Sequence, residues 1–194
     1  DGVQVGQVSW SITNYTTAAL GQGLHTWRIK PYDRAGNTNV SLQWSFTVDT
    51  VLPTVPTLVL PVNNKVTNDN TPTLLWNKSA DVNLTNYRVY IDGVQVAQVT
   101  WSVTNYTSAL LADGAHTWRI KPYDKANNTN VSLQWTFIVD TAAPTAPALI
   151  LPPNNDYTNG ISINLLWGKS TDSASGITNY QVYTNGRLAG TVSW

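Results

Sequence analysis

The chain is predicted to be all-β, a tandem of antiparallel β-sandwiches, and three observations lead there. The first is a repeat: residues 1–50 lie over residues 92–141 without a gap, at an offset of 91, with 38 identities in 50. The second is composition. Asn, Thr, Ser, Val and Trp crowd the chain while glutamate and cysteine are absent, a mixture that favours strands and turns over helices. The third is period. Val40, Leu42, Trp44, Phe46 and Val48 alternate with Ser41, Gln43, Ser45 and Thr47, as a strand with one buried face requires.

In chain order, Asp1-Gly2 acquires its meaning from the second copy, where NYRVYIDGVQVAQV sets Asp92-Gly93 between two alternating apolar runs and so predicts a hairpin. An extended run is expected from Trp10 to Leu20, then a turn at Gly21 to Gly23. The next run puts His25, Trp27 and Ile29 on one face, with His116, Trp118 and Ile120 as their copies. Turn-forming residues fill Tyr32 to Asn39, and the alternating run Val40 to Val48 follows. Residues 49–57, DTVLPTVPT, recur as 140–148, DTAAPTAPA. Two prolines three apart cannot continue a central strand, so a short stiff linker is expected at a domain boundary. Beyond it, Leu74 and Trp76, then Tyr87, Val89 and Ile91, read as core faces of further strands.

The expected organisation is the back part of a first sandwich at 1–50, a complete sandwich of seven or so strands at 51–141, and the front part of a third at 142–194. The third copy carries a two-residue insertion before Asn179, keeps the hairpin as Asn185-Gly186, and ends at Trp194, the counterpart of Trp101. A window on a longer tandem array is expected. The alternative, terminal halves complementing each other between chains into head-to-tail polymers, would supply one segment twice, since 1–10 and 185–194 are copies.

Formal charge is zero and 11% of residues are charged, which disfavours nucleic acid and anionic membranes as partners of the whole chain. No apolar run approaches the roughly 18 residues of a membrane span. Without cysteine there is no disulfide framework and no cysteine metal site.

The stretch LADGAHTWRIKPYDKANNTNVS followed by WTFIVDTAAPTAP resembles the bacterial immunoglobulin-like repeats of large secreted and surface proteins. In those an Asp-Gly turn, an alternating strand, an Asp-x-Ala-Gly-Asn loop and a Val-Asp-Thr-x-x-Pro segment follow in this order. The first copy keeps the loop as Asp33-Arg34-Ala35-Gly36-Asn37, and in the second Asn127 replaces the glycine. The front half, LLWNKSADVNLTNYRVYIDG, is similar to fibronectin type III domains in its Trp and its Tyr-x-Val-Tyr run. The resemblance implies an extracellular or cell-surface, non-enzymatic structural array acting as a stalk, shaft or filament, whose partners are neighbouring repeats or other copies of itself. An adhesin or carbohydrate-binding module that meets surface glycans, or an accessory array of a secreted enzyme, are the alternatives. It also implies calcium at domain junctions, for which Asp124, Asp140 and Asp172 are the candidate ligands; no other cofactor is expected.

Catalytic chemistry finds no foothold. There is no Gly-x-Ser-x-Gly elbow, a single His per repeat lacks a second ligand at metal spacing, and the few Asp residues sit in turns. Trp76, Trp118 and Trp135 fall on core phases, whereas Trp101, Tyr90 and Tyr123 are candidates for stacking on sugars. Among several Asn-x-Ser/Thr sequons, Asn14, Asn39, Asn105 and Asn130 match between copies and are the candidate glycosylation sites.

Overall fold

The computed structural model describes residues 1–193; Trp194 lies outside them. Among the described residues there are fourteen strands and no helix. β1 (Gly23–Trp27) and β2 (Trp44–Val48) form a hairpin of their own. The middle stretch holds β3 (Leu58–Leu60), β4 (Lys65–Thr67), β5 (Thr73–Trp76), β6 (Leu84–Ile91), β7 (Val94–Thr100), β8 (Asn105–Thr107), β9 (Gly114–Asp124) and β10 (Trp135–Val139). The last four, β11 (Leu149–Leu151), β12 (Leu166–Trp167), β13 (Asn179–Thr184) and β14 (Arg187–Ser193), form two separate pairs.

The middle strands make two sheets, β4-β10-β9-β6-β7 and β3-β5-β8. Pairing is antiparallel except at one edge, where β4 runs parallel to β10 with Phe137 opposite Lys65. β3 and β4 are the two halves of one edge segment, each joined to a different sheet, with Pro61 and the left-handed Asn64 (φ 63°) between them. Leu58, Leu74 and Trp76 from the smaller sheet meet Tyr87, Val89, Ile91, Trp118, Ile120, Phe137 and Val139 from the larger one, all buried. Trp135 is packed against this core from its border. Burying so many large apolar side chains is the dominant favourable term in folding.

Tyr87 also ties the two sheets together through polar contact. Its ring meets Trp76 edge-on at 5.6 Å, and its hydroxyl accepts a 2.7 Å hydrogen bond from the backbone N–H of Ser79. The third copy repeats both contacts, with Trp167 and Tyr180 at 5.5 Å and the Ser170 N–H donating to Tyr180.

Three expectations need correction. The segment 49–57, expected as a short stiff linker, is docked on the middle strands: Pro53 and Pro56 are fully buried, the Thr54 N–H donates to Ala80 O, and the Ala80 N–H donates to Thr54 Oγ1. Prolines that cannot join a ladder still pack on its edge, so this stretch is part of the middle fold and not a spacer before it. The run Trp10 to Leu20 carries no strand, whereas its copy forms β8, paired antiparallel with β5. Likewise the strand expected from Val40 begins only at Trp44, and in the copy Val131 and Leu133 remain exposed outside β10.

Candidate functional site

From Asn86 to Ile91 in β6 and from Thr117 to Asp124 in β9 the side chains alternate, so one set fills the core and the other forms an outward face. On that face Arg88 stands directly opposite Lys121, Tyr90 opposite Arg119, and Asn86 opposite Tyr123. β7 adds Gln98 opposite Arg88 and Gln95 opposite Tyr90. Sequence alternation foresaw Tyr90 and Tyr123 here. Neither ring is bare: the Arg88 guanidinium lies over Tyr123 at 4.0 Å, and Arg119 and Lys121 lie over Tyr90 at 5.4 and 5.3 Å. The cations themselves were missed, although the same alternation in NYRVYI and HTWRIKPYD places them on the outward phase.

Trp101, the third stacking candidate, stands apart from this face. The residue is 46% exposed, with the Lys78 ammonium 3.8 Å from the ring centroid. A sugar would have to displace that lysine from one face of the indole.

The two histidines belong to turn clamps. His116 Nδ1 lies 2.7 Å from Asp92 Oδ2 and Nε2 lies 2.9 Å from Ala112 O, while Asp92 Oδ1 accepts the Thr117 N–H. Both ring nitrogens face atoms that only accept, so the contacts are complete when the imidazole carries both protons. Burial works against the charged ring, but the hydrogen bonds to Ala112 and Asp92 outweigh it and raise the His116 pKa. For Asp92 burial again opposes charge, and the hydrogen bonds from His116 and Thr117 prevail and lower its pKa. The first copy reproduces the clamp with His25, Asp1 and Gly21 O.

The calcium candidates are not brought together, and no group of three or more His, Cys, Asp or Glu suited to a metal exists among the described residues. Both carboxylate oxygens of Asp124, which is buried, accept from Asn128, through its backbone N–H and its amide. Asp140 accepts from the Ala142 N–H. Asp172 is held below the usual carboxylate range by the N–H groups of Ser175 and Gly176. These are loop-closing roles.

Of the sequons, Asn14, Asn39 and Asn105 are exposed. Asn130 is half-buried and its amide reaches Pro53 O at 3.3 Å, so the copies differ in access although their sequences agree.

Comparison with known proteins completes the picture. Residues 61–141, which hold the outward face, both Tyr87 contacts and the Asp92–His116 clamp, match the family model of the bacterial Ig-like domain. This stretch is similar to that family in sequence. Over 154 residues the chain is also 34% identical to chitinase A1 of Niallia circulans, an alignment covering 75% of the chain and 21% of that enzyme. The chain thus spans about a fifth of the length of the relative it matches. Among solved structures, the fibronectin(III)-like modules of Clostridium thermocellum CbhA align with a TM-score of 0.43 and 11% identity, covering 46% of this chain and 99% of that one. The Clostridium perfringens spore cortex lytic enzyme SleM aligns at 0.38 with 13% identity, over 58% and 38% of the two chains.

Proposed function

We propose that the chain is a non-catalytic array of Ig-like domains within a larger secreted protein, with 51–141 as one complete domain and 1–50 and 142–193 as parts of its neighbours. The observation that carries this reading is the 34% identity to a chitinase over only 21% of that enzyme's length, on a fold whose Asp92, His116 and Asp124 side chains close turns. In such a protein the array sets the distance and orientation between a catalytic domain and whatever anchors it. The docked proline segment suits that role, because a joint packed onto its domain bends less than a free linker. At the first joint Asp49 accepts from the side chain of Asn83 through Oδ2 and from that of Asn128 through its backbone carbonyl.

A stalk or filament on a prokaryotic cell surface is a second reading, favoured by the near-identity of the copies. One experiment separates the two. Excision of residues 51–141 from the parent protein is expected to lower turnover of an insoluble polysaccharide while leaving a soluble oligosaccharide substrate unaffected. Equal turnover of the insoluble substrate would remove the accessory reading, and shortened surface fibres in electron micrographs would favour the stalk.

A further inference from the structure

We propose that the outward face of β6 and β9 in the Ig-like domain binds an acidic polysaccharide, one that carries carboxylates on its sugar rings. Arg88 and Lys121 are direct cross-strand partners and Arg119 is one position along the same face. Like charges placed directly opposite each other destabilise a sheet. No carboxylate relieves them: the ion pairs among the described residues are His25 with Asp1 and His116 with Asp92. Three buried polar atoms without a hydrogen-bond partner, Asn86 Oδ1, Arg88 Nε and Arg119 Nε, lie on this one face. Unpaired buried polar groups cost stability and are rare in native proteins. An anion laid across the face would answer the positive charge, and hydroxyls beside it would reach the amides of Asn86, Gln95 and Gln98.

Charge complementarity therefore selects an anion, and the remaining side chains select a glycan. The tyrosine rings are already covered by cations, which removes the open stacking platforms that single-stranded nucleic acid uses. Tyr and Arg also anchor protein interfaces, and the polyglutamate arm of the test separates an acidic protein segment from an acidic glycan. Guanidinium groups held over aromatic rings are positioned to meet carboxylates in pairs. The chain's overall neutrality does not weaken this, because no carboxylate is among the outward residues of β6, β7 and β9, and Asp124 at the end of β9 is buried. The first copy keeps Arg28, Lys30 and Tyr32 at the positions of Arg119, Lys121 and Tyr123. The third replaces Arg88 by Gln181, to which Tyr183 donates. A weak site repeated along an array gains by multivalency.

The inference rests on this patch and stands or falls separately from the accessory reading. Its test is native electrophoresis of the whole chain in gels containing polygalacturonate, the neutral glucan laminarin or polyglutamate. Polygalacturonate is expected to retard the chain, the other two are not, and salt above the screening range abolishes the effect. The variant Arg88→Gln/Arg119→Gln/Lys121→Gln is expected to weaken retardation by about tenfold or more. Its melting temperature is expected to be unchanged or higher, since like charges are removed; Lys121→Gln alone should give an intermediate loss. The proposal is overturned by a wild-type chain that migrates freely, by a folded triple variant that is retarded as strongly as wild type, or by equal retardation in laminarin or polyglutamate.

Discussion

Residues 1–50 and 92–141 are nearly the same sequence in two situations. Locally they are the same structure: Trp27 meets Trp44 at 5.8 Å and 89°, and Trp118 meets Trp135 at 6.2 Å and 86°. His25 on Phe46 and His116 on Phe137 agree as closely, at 5.7 and 5.6 Å. Burial is what differs. Trp118 is 1% exposed against 47% for Trp27, and Phe137 0% against 42% for Phe46. The strands differ with it, since β9 spans 11 residues beside β6 while β1, with no such neighbour, spans 5. A hairpin thus specifies its own turn, register and ring contacts, but the length of its strands and the stability of its core come from the sheet laid against it.

The largest test of that contrast is aromatic truncation. Trp118→Ala should destabilise the middle domain by about 3–5 kcal/mol in urea titrations, against well under half of that for Trp27→Ala. In the 194-residue chain, equal losses would mean that contacts within the hairpin, and not the facing sheet, carry most of the cost. Next comes the hydroxyl shared by two copies: Tyr87→Phe leaves the buried Ser79 N–H without its acceptor and should cost about 1–3 kcal/mol, while Tyr180→Phe, whose bond is only partly buried, should cost less.

The clamp gives a smaller, pH-dependent effect. Because the folded His116 pKa lies above its ordinary 6.5, its contribution is full below that value and is lost as pH rises through the folded pKa. Asp92, lowered from 3.8, contributes above that value and loses its contribution as pH falls through the folded pKa. Stability of the middle domain should therefore decline as pH rises from about 6.5 through the folded His116 value. Replacing Asp92 with Asn should flatten that slope in melting curves taken across pH. The smallest effect belongs to the loop that the copies share. Asn127 holds φ 65° where the first copy has Gly36 at 85°, so Asn127→Gly should change stability by only about 0.5 kcal/mol, with no shift of the Asp124–Asn128 contacts in amide spectra.

Much of the candidate site was legible in advance, and the remainder shows where legibility stops. Alternation placed Tyr90 and Tyr123 outward and would equally have placed Arg88, Arg119 and Lys121, yet only register reveals that Arg88 faces Lys121. Sequence singled out Asp124, Asp140 and Asp172 as ligands by type, but each carboxylate is taken up by hydrogen bonds within its own loop. Trp101, a stacking candidate by sequence, is 46% exposed, and the lysine on its ring comes from a loop 23 residues earlier, which no local pattern reports.

What the amino acids determined alone is the set of local choices: hairpins at Asp92-Gly93 and Asn185-Gly186, the apolar side of every strand, and the exclusion of Pro53 and Pro56 from a ladder. These depend on φ, ψ and side-chain alternation over a few neighbouring residues. Whether an apolar side becomes a core, where a strand stops, and whether a proline segment hangs free or docks on Ala80 were decided by tertiary structure. A period of two defines a face, and only a second sheet, brought up from far along the chain, can take that face out of water.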